Sequence, residues 1–140
     1  MAEYIATALQ TIEENQNVLF TDTTVCGSGS IMHTDGSGLV TVRGITNQWR
    51  ARFKITFGGN IAIPTGGTVE EISLGIAVNG ETIPVTTMRV TPAAVEEFFN
   101  VATAIYIDVP NACCLTISVT NITAEAVEVQ NANLIAERVA

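Results

Sequence analysis

One histidine, His33, and three cysteines, Cys26, Cys113 and Cys114, are the residues of this 140-residue chain whose types suit nucleophilic or metal chemistry. A thiol nucleophile needs a base within hydrogen-bond reach, and zinc needs paired ligands at short, regular spacing. His33 falls in a Gly/Ser-rich turn with no partner motif, and no spacing ties it to a cysteine. Cys113 and Cys114 are neighbours on an expected strand, so their side chains point to opposite faces and a bond between them would be strained. Either one is a possible partner for Cys26; otherwise all three read as small buried thiols in a reducing compartment. Glu70-Glu71 and Glu96-Glu97 supply the two acids that some glycosidases use, yet adjacent acids on a strand or turn point apart. They read instead as solvated edges that discourage sheet-to-sheet pairing. Gly27-Ser28-Gly29-Ser30 and Gly58-Gly59 lack the lysine and the strand-loop-helix setting of a phosphate loop. Asp22, Asp35 and Asp108 lack the ligand spacing of a calcium loop. The expectation is a non-enzymatic chain with no catalytic, cofactor or metal site.

The elements that would carry such residues are strands. From Trp49 to Phe57 apolar and polar residues alternate, with Trp49, Ala51, Phe53, Ile55 and Phe57 on one side and Arg50, Arg52, Lys54 and Thr56 on the other. Successive side chains of a strand point to opposite faces, so this is a strand with one face buried. The alternation returns at Ile72 to Val78, Phe99 to Val109 and Cys113 to Val119, which predicts antiparallel sheets. Further strands are expected at Val18 to Thr21, Val25 to His33, Leu39 to Arg43, Thr82 to Val90 and Ala126 to Val139. Asn79-Gly80 between two alternating runs is the strongest hairpin signal, and Thr91-Pro92 opening Ala93 to Glu97 suggests one short helical turn. Tyr4, Ile5, Ala8, Leu9 and Ile12 recur at three and four, so residues 1–16 are expected as an N-terminal arm with some helix, ahead of a domain at 17–140. Eight or nine strands in that length predict an all-β, two-sheet antiparallel sandwich, a jelly roll ahead of an immunoglobulin-like arrangement, whose Cys-Trp-Cys order is not met.

Composition narrows the function. Net charge is −8 with only six Lys and Arg, which argues against nucleic acid as a partner, since phosphate contacts need several cations on one face. Charged residues make up 14% against 47% apolar. That is well under the usual charged share of about 25%, so part of the surface is expected to lie against a partner. No run approaches the ~20 apolar residues needed to cross a bilayer, and residues 1–16 lack the features of a secretory signal. The chain is therefore expected to be made in the cytoplasm, with no membrane partner. Asn121-Ile122-Thr123 reads as an accidental sequon.

The run ISLGIAVNGETIP, taken with NVLFTDTTV near the start and NANLIAERVA at the end, resembles the tumour-necrosis-factor/complement-head superfamily of jelly rolls. It is similar above all to the short, shaftless members encoded by gut Firmicutes and their phages, over Asn17 to Ala140. The aromatic Gly-Leu-Tyr-type strand of complement heads is replaced by Trp49-Arg50-Ala51-Arg52-Phe53. The resemblance implies a homotrimer packed about a threefold axis through one sheet of each copy. On that reading the interface takes Arg50, Arg52, Lys54, Phe98, Ala102, Ala104, Tyr106, Glu128 and Gln130. Small residues between aromatics suit close approach, and Glu128 is expected to pair with Arg50 or Arg52 across subunits. The expected role is a structural protein of a phage or prophage virion, a capsid decoration or head-fibre component that meets a capsid protein through the N-terminal arm. The alternative is a receptor- or glycan-binding head using Thr34 to Gly38 and Asn60 to Gly67. The expected burial of Trp49 counts against that alternative, because glycan binders display an exposed aromatic.

Overall fold

A computed structural model describes residues 1–27, 29–112 and 114–140. Its described residues form two six-stranded antiparallel sheets packed face to face. The first, sheet A, runs β10 (Phe99–Pro110), β6 (Arg50–Ala62), β12 (Val127–Arg138), β1 (Ala2–Ala6) and β3 (Asp22–Val25), with β2 (Gln10–Ile12) also on β12. The second, sheet B, runs β4 (Ile31–His33), β5 (Val40–Arg43), β11 (Cys114–Asn121), β7 (Ile72–Val78) and β8 (Glu81–Thr82), with β9 (Met88–Val90) also on β7. Chain neighbours repeatedly fall in opposite sheets, so the strands cross back and forth over one shared core.

Alternation explains the core. Ala51, Phe53, Ile55 and Phe57 of β6 are fully buried, as are Leu74 and Ile76 of β7 and Ile117 and Val119 of β11. Phe20 meets Phe57 edge to face with ring centroids 6.4 Å apart. Each large apolar side chain buried in this way contributes roughly 1.5–3 kcal/mol. The Asn79-Gly80 turn has φ of 52° and 84°, the pair of left-handed residues that a two-residue hairpin needs to match strand twist. It joins β7 to β8, with Val78 opposite Glu81. Asn79 Oδ1 also accepts from the Thr116 amide at 2.9 Å, tying the turn to β11.

Five expectations need correction. Val18 to Thr21 forms no strand, and of Val25 to His33 only Val25, at the end of β3, and Ile31–His33 lie in strands among the described residues. Residues 1–16 are not a helical arm: Ala2, Tyr4 and Ala6 alternate into the core, and β1 lies hydrogen-bonded between β12 and β3. Two of those three buried residues are alanines, too small to stand out against the helical spacing of Tyr4, Ile5, Ala8, Leu9 and Ile12. The Thr91 to Glu97 segment forms turns rather than helix, and a single 3-10 turn falls instead at Pro84–Thr86. Trp49 is not in the core. The strand begins one residue later, and the indole is 76% exposed.

Candidate functional site

Because Ala51, Phe53, Ile55 and Phe57 point inward, the opposite face of β6 points out of the sandwich and sets a graded outer surface on sheet A. At one end Asp108 stands opposite Arg52, and Tyr106 opposite Lys54, which in turn faces Glu137 of β12. The middle is small and uncharged: Ala104 beside Thr56 and Ile135, then Ala102 beside Gly58 and Asn133. The other end carries amides, with Asn100 opposite Asn60 and Gln130 on its far side. Ala102 and Ala104 are exposed, and Tyr106 is 61% exposed. Phe98 lies just before β10 and is at the margin of exposure.

The basic row is answered within the chain by Asp108. Arg52 donates Nε to Asp108 Oδ1 at 2.7 Å and Nη2 to Oδ2 at 3.1 Å, and Arg50 Nη1 approaches Oδ1 at 3.6 Å. The hydrogen bond from Arg52 holds the Asp108 carboxyl below its ordinary range. Glu128 does not answer that row. Lys54 pairs with Glu137, so the strand position beside Arg52 falls at the very end of β12, where the Arg52 amide donates to the Ala140 carbonyl at 3.2 Å. Glu128 stands opposite Ala62 instead, only 5% exposed. Within one chain Glu128 therefore meets neither Arg50 nor Arg52, and its burial leaves little of it to reach a neighbouring copy.

Glu128 lies within electrostatic reach of Glu96, and its Oε2 is buried without a hydrogen-bond partner. Burial first, and then the neighbouring Glu96, push the Glu128 carboxyl up to about 7. Glu96 moves down, because Glu128 and the hydrogen bonds from Thr65 favour its charged form. The Thr65 amide and hydroxyl donate to Glu96 Oε1 at 2.9 and 2.7 Å. Glu96 itself sits at φ 58°, in the left-handed region. Two carboxyl groups held together share a proton. No spacing in the sequence marks this pair, whose members are joined only by the fold.

The structure also gathers Tyr4, Cys26, His33 and Asp35 along a cleft of about 760 Å³ between β1 and β4, although the sequence offered no link between the cysteine and the histidine. His33 lies on β4 rather than in a turn, with its side chain fully buried and its ring 4.4 Å from that of Tyr4. Its Nε2 contacts the Ser37 carbonyl at 2.8 Å, which assigns the proton to that nitrogen. Nδ1 lies 3.9 Å from Asp35 Oδ1 and has no hydrogen-bond partner. That geometry packs His33 into the aromatic core with Nδ1 on the side of a carboxylate. The Tyr4 phenol is raised by its burial and then by Cys26 and Asp35.

Cys26 and Cys114 are exposed, contrary to the expectation of buried thiols, and Cys113 lies outside the described residues. Asp22, Asp35 and Asp108 lie on β3, in the cleft and on β10, and no group of three metal-ligating side chains forms among the described residues. Asn121 is fully buried, donates to Ile12 and Glu125 carbonyls at 2.9 and 2.8 Å, and accepts from the Thr123 amide. It is a fixture of the core, not a glycan acceptor.

No protein-family model matches the chain, and no curated protein matches it. Solved structures do. The globular domain of zebrafish complement 1qA protein superposes with a TM-score of 0.63 at 8% identity, over 96% of this chain and 94% of that one. The PRD1 vertex protein P5 superposes with a TM-score of 0.54 at 12% identity, over 99% and 96%. The fold is a TNF-like jelly roll. At these identities the likeness speaks for architecture alone, and the chemistry of this chain has to be read from its own surface.

Proposed function

We propose that the chain is a structural protein that works by assembling, as a homotrimeric jelly roll on the surface of a phage or prophage virion. The observation that carries this reading is the outer face of sheet A. Its centre, formed by Ala102, Ala104, Thr56, Gly58 and Ile135, combines small side chains with no charge, and Tyr106 stands beside it. Close backbone approach and an aromatic anchor are what a subunit interface uses. The fold likeness to a vertex protein supports the particle setting. With residues 1–16 woven into the sandwich, attachment to a capsid protein falls to a folded face rather than to a free arm. Synthesis in a bacterial cytoplasm is part of the same reading.

Light scattering on the purified chain tests it. The wild type is expected at three times the chain mass, and Ala104→Arg, which plants a long cation in the uncharged centre, is expected at the mass of a single chain with an unchanged β-type circular dichroism spectrum. A wild-type monomer sinks the reading. Mass spectrometry of purified particles from the source host tests the virion assignment separately.

A second reading, glycan binding, is favoured by one observation. Trp49, whose expected burial counted against it, stands open to solvent.

A further inference from the structure

We infer that the loop ahead of β6 is a saccharide site, with Trp49 as the stacking platform and a carboxylated sugar as the ligand class; this rests on the glycan-binding reading and is independent of the trimer. The loop runs from Gly44 to Trp49 and is pinned at both ends. The Ala112 amide donates to the Gly44 carbonyl at 3.1 Å, the Asn111 amide to the Trp49 carbonyl at 3.0 Å, and Arg138 Nη1 to the Ile45 carbonyl at 2.6 Å. The indole is pinned as well. The Arg50 guanidinium stacks 4.9 Å from the ring centroid and is itself drawn to Asp108. A large aromatic left 76% exposed yet held from behind presents an open face at little ordering cost.

Sugar rings bury their axial C–H face on a flat aromatic and present hydroxyls at the edge, so a site needs uncommitted polar groups beside the platform. Directly before Trp49 lies a hollow of about 460 Å³ lined by Ile45, Thr46, Asn47, Gln48 and Arg138. It is an open, shallow hollow, of a shape that holds the edge of an extended saccharide rather than enclosing a small ligand. Asn47 and Gln48 are exposed, and neither side-chain amide takes part in a hydrogen bond among the described residues. Each offers two donors and an acceptor, the complement of a vicinal diol.

Charge selects within the class. Arg50, Arg52, Lys54 and Arg138 are four of the six basic residues of a chain with net charge −8, and they lie at this end of two adjacent strands. Asp108 answers Arg50 and Arg52. Arg138 spends Nη1 on the Ile45 carbonyl and Nε on the Ala140 carbonyl, and no Asp or Glu pairs with it among the described residues. Its remaining nitrogen, Nη2, matches one oxygen of a ligand carboxylate. The loops at Thr34 to Gly38 and Asn60 to Gly67, the earlier expectation for a glycan surface, contain no aromatic residue.

The full chain on an array of sialylated, uronate-bearing and neutral oligosaccharides tests this, followed by calorimetric titration of a bound oligosaccharide into wild type, Trp49→Ala, Trp49→Phe and Gln48→Ala. Carboxylated glycans are expected to bind. Trp49→Ala is expected to weaken the strongest of them tenfold or more, Trp49→Phe less, and Gln48→Ala severalfold, with all masses unchanged by light scattering. No hit on the array overturns both this site and the glycan-binding reading. Hits that survive Trp49→Ala overturn the site alone, and hits confined to neutral glycans overturn the carboxylate assignment. A change of mass in Trp49→Ala makes the indole a subunit contact and also overturns the site.

Discussion

Glu128→Gln should stabilise the protein above neutrality and leave it nearly unchanged in mild acid. In the folded chain the Glu128 carboxyl is raised from 4.5 to about 7 by burial and by Glu96. Between those two values the native state holds a proton that the unfolded state has released. Stability therefore falls as pH rises from about 4.5, and the whole penalty is present above about 7. A displacement of that size corresponds to ~3 kcal/mol between the two protonation states. Glu96 faces water, so screening trims the net effect to ~1–2 kcal/mol. Glutamine keeps the shape and the donor of the protonated acid but cannot ionise, so the variant should escape the penalty. Urea unfolding at pH 5 and pH 8 measures it, with the midpoint of Glu128→Gln rising over wild type at pH 8 and matching it at pH 5. Comparing the variant with wild type at each pH removes the general effect of the chain's net charge of −8. An equal loss of stability at both values, or a wild type that grows more stable from pH 5 to pH 8 while the variant does not, refutes the shared-proton account.

Two further outcomes follow from the packing. Phe57→Ala empties the centre of the core beside Phe20 and should cost ~3–5 kcal/mol, read as a lower urea midpoint with an unchanged slope. Gly44→Ala drives a Cβ into the Pro110 carbonyl oxygen. The backbone there cannot yield as a side-chain tip would, so the substitution should destabilise by roughly 1–3 kcal/mol, whereas Gly29→Ala meets nothing and should be close to neutral.

The long strands were legible because each buries one face. In β6 the buried and half-buried residues alternate without a break from Arg50 to Ile61, and the sequence shows that pattern as far as Phe57, after which Gly58-Gly59 and Asn60 read as a loop. The N-terminal strand was hidden by residue size: Ala2 and Ala6 fill core positions that leave little hydrophobic signal. Trp49 was misplaced because alternation alone does not mark where a strand ends, and an aromatic beside a turn satisfies the pattern as well as one in the core. Register was the larger gap. The outward face of β10 was readable from Ala102, Ala104 and Tyr106, but which acid would meet Arg52 depended on strand pairing. Asp108 reaches it from β10, directly opposite, while Glu128 lies on β12 beyond a bulge between Gln130 and Asn133. Nothing local to Glu96 or Glu128 announces that each shifts the other's titration.

β12 sits in the middle of sheet A, flanked by β6 on one side and by β1 and β2 on the other. Among the strands of the described residues it also comes last along the chain. Until it arrives, the first strands made have no common neighbour, and two apolar edges wait apart for a segment some 130 residues downstream, such as Ala136 for Ala2. Closure of sheet A thus waits for β12 and is slow and non-local. A chain that stops short of Val127 loses the keystone between its halves, and exposes unpaired strand edges to its nascent siblings.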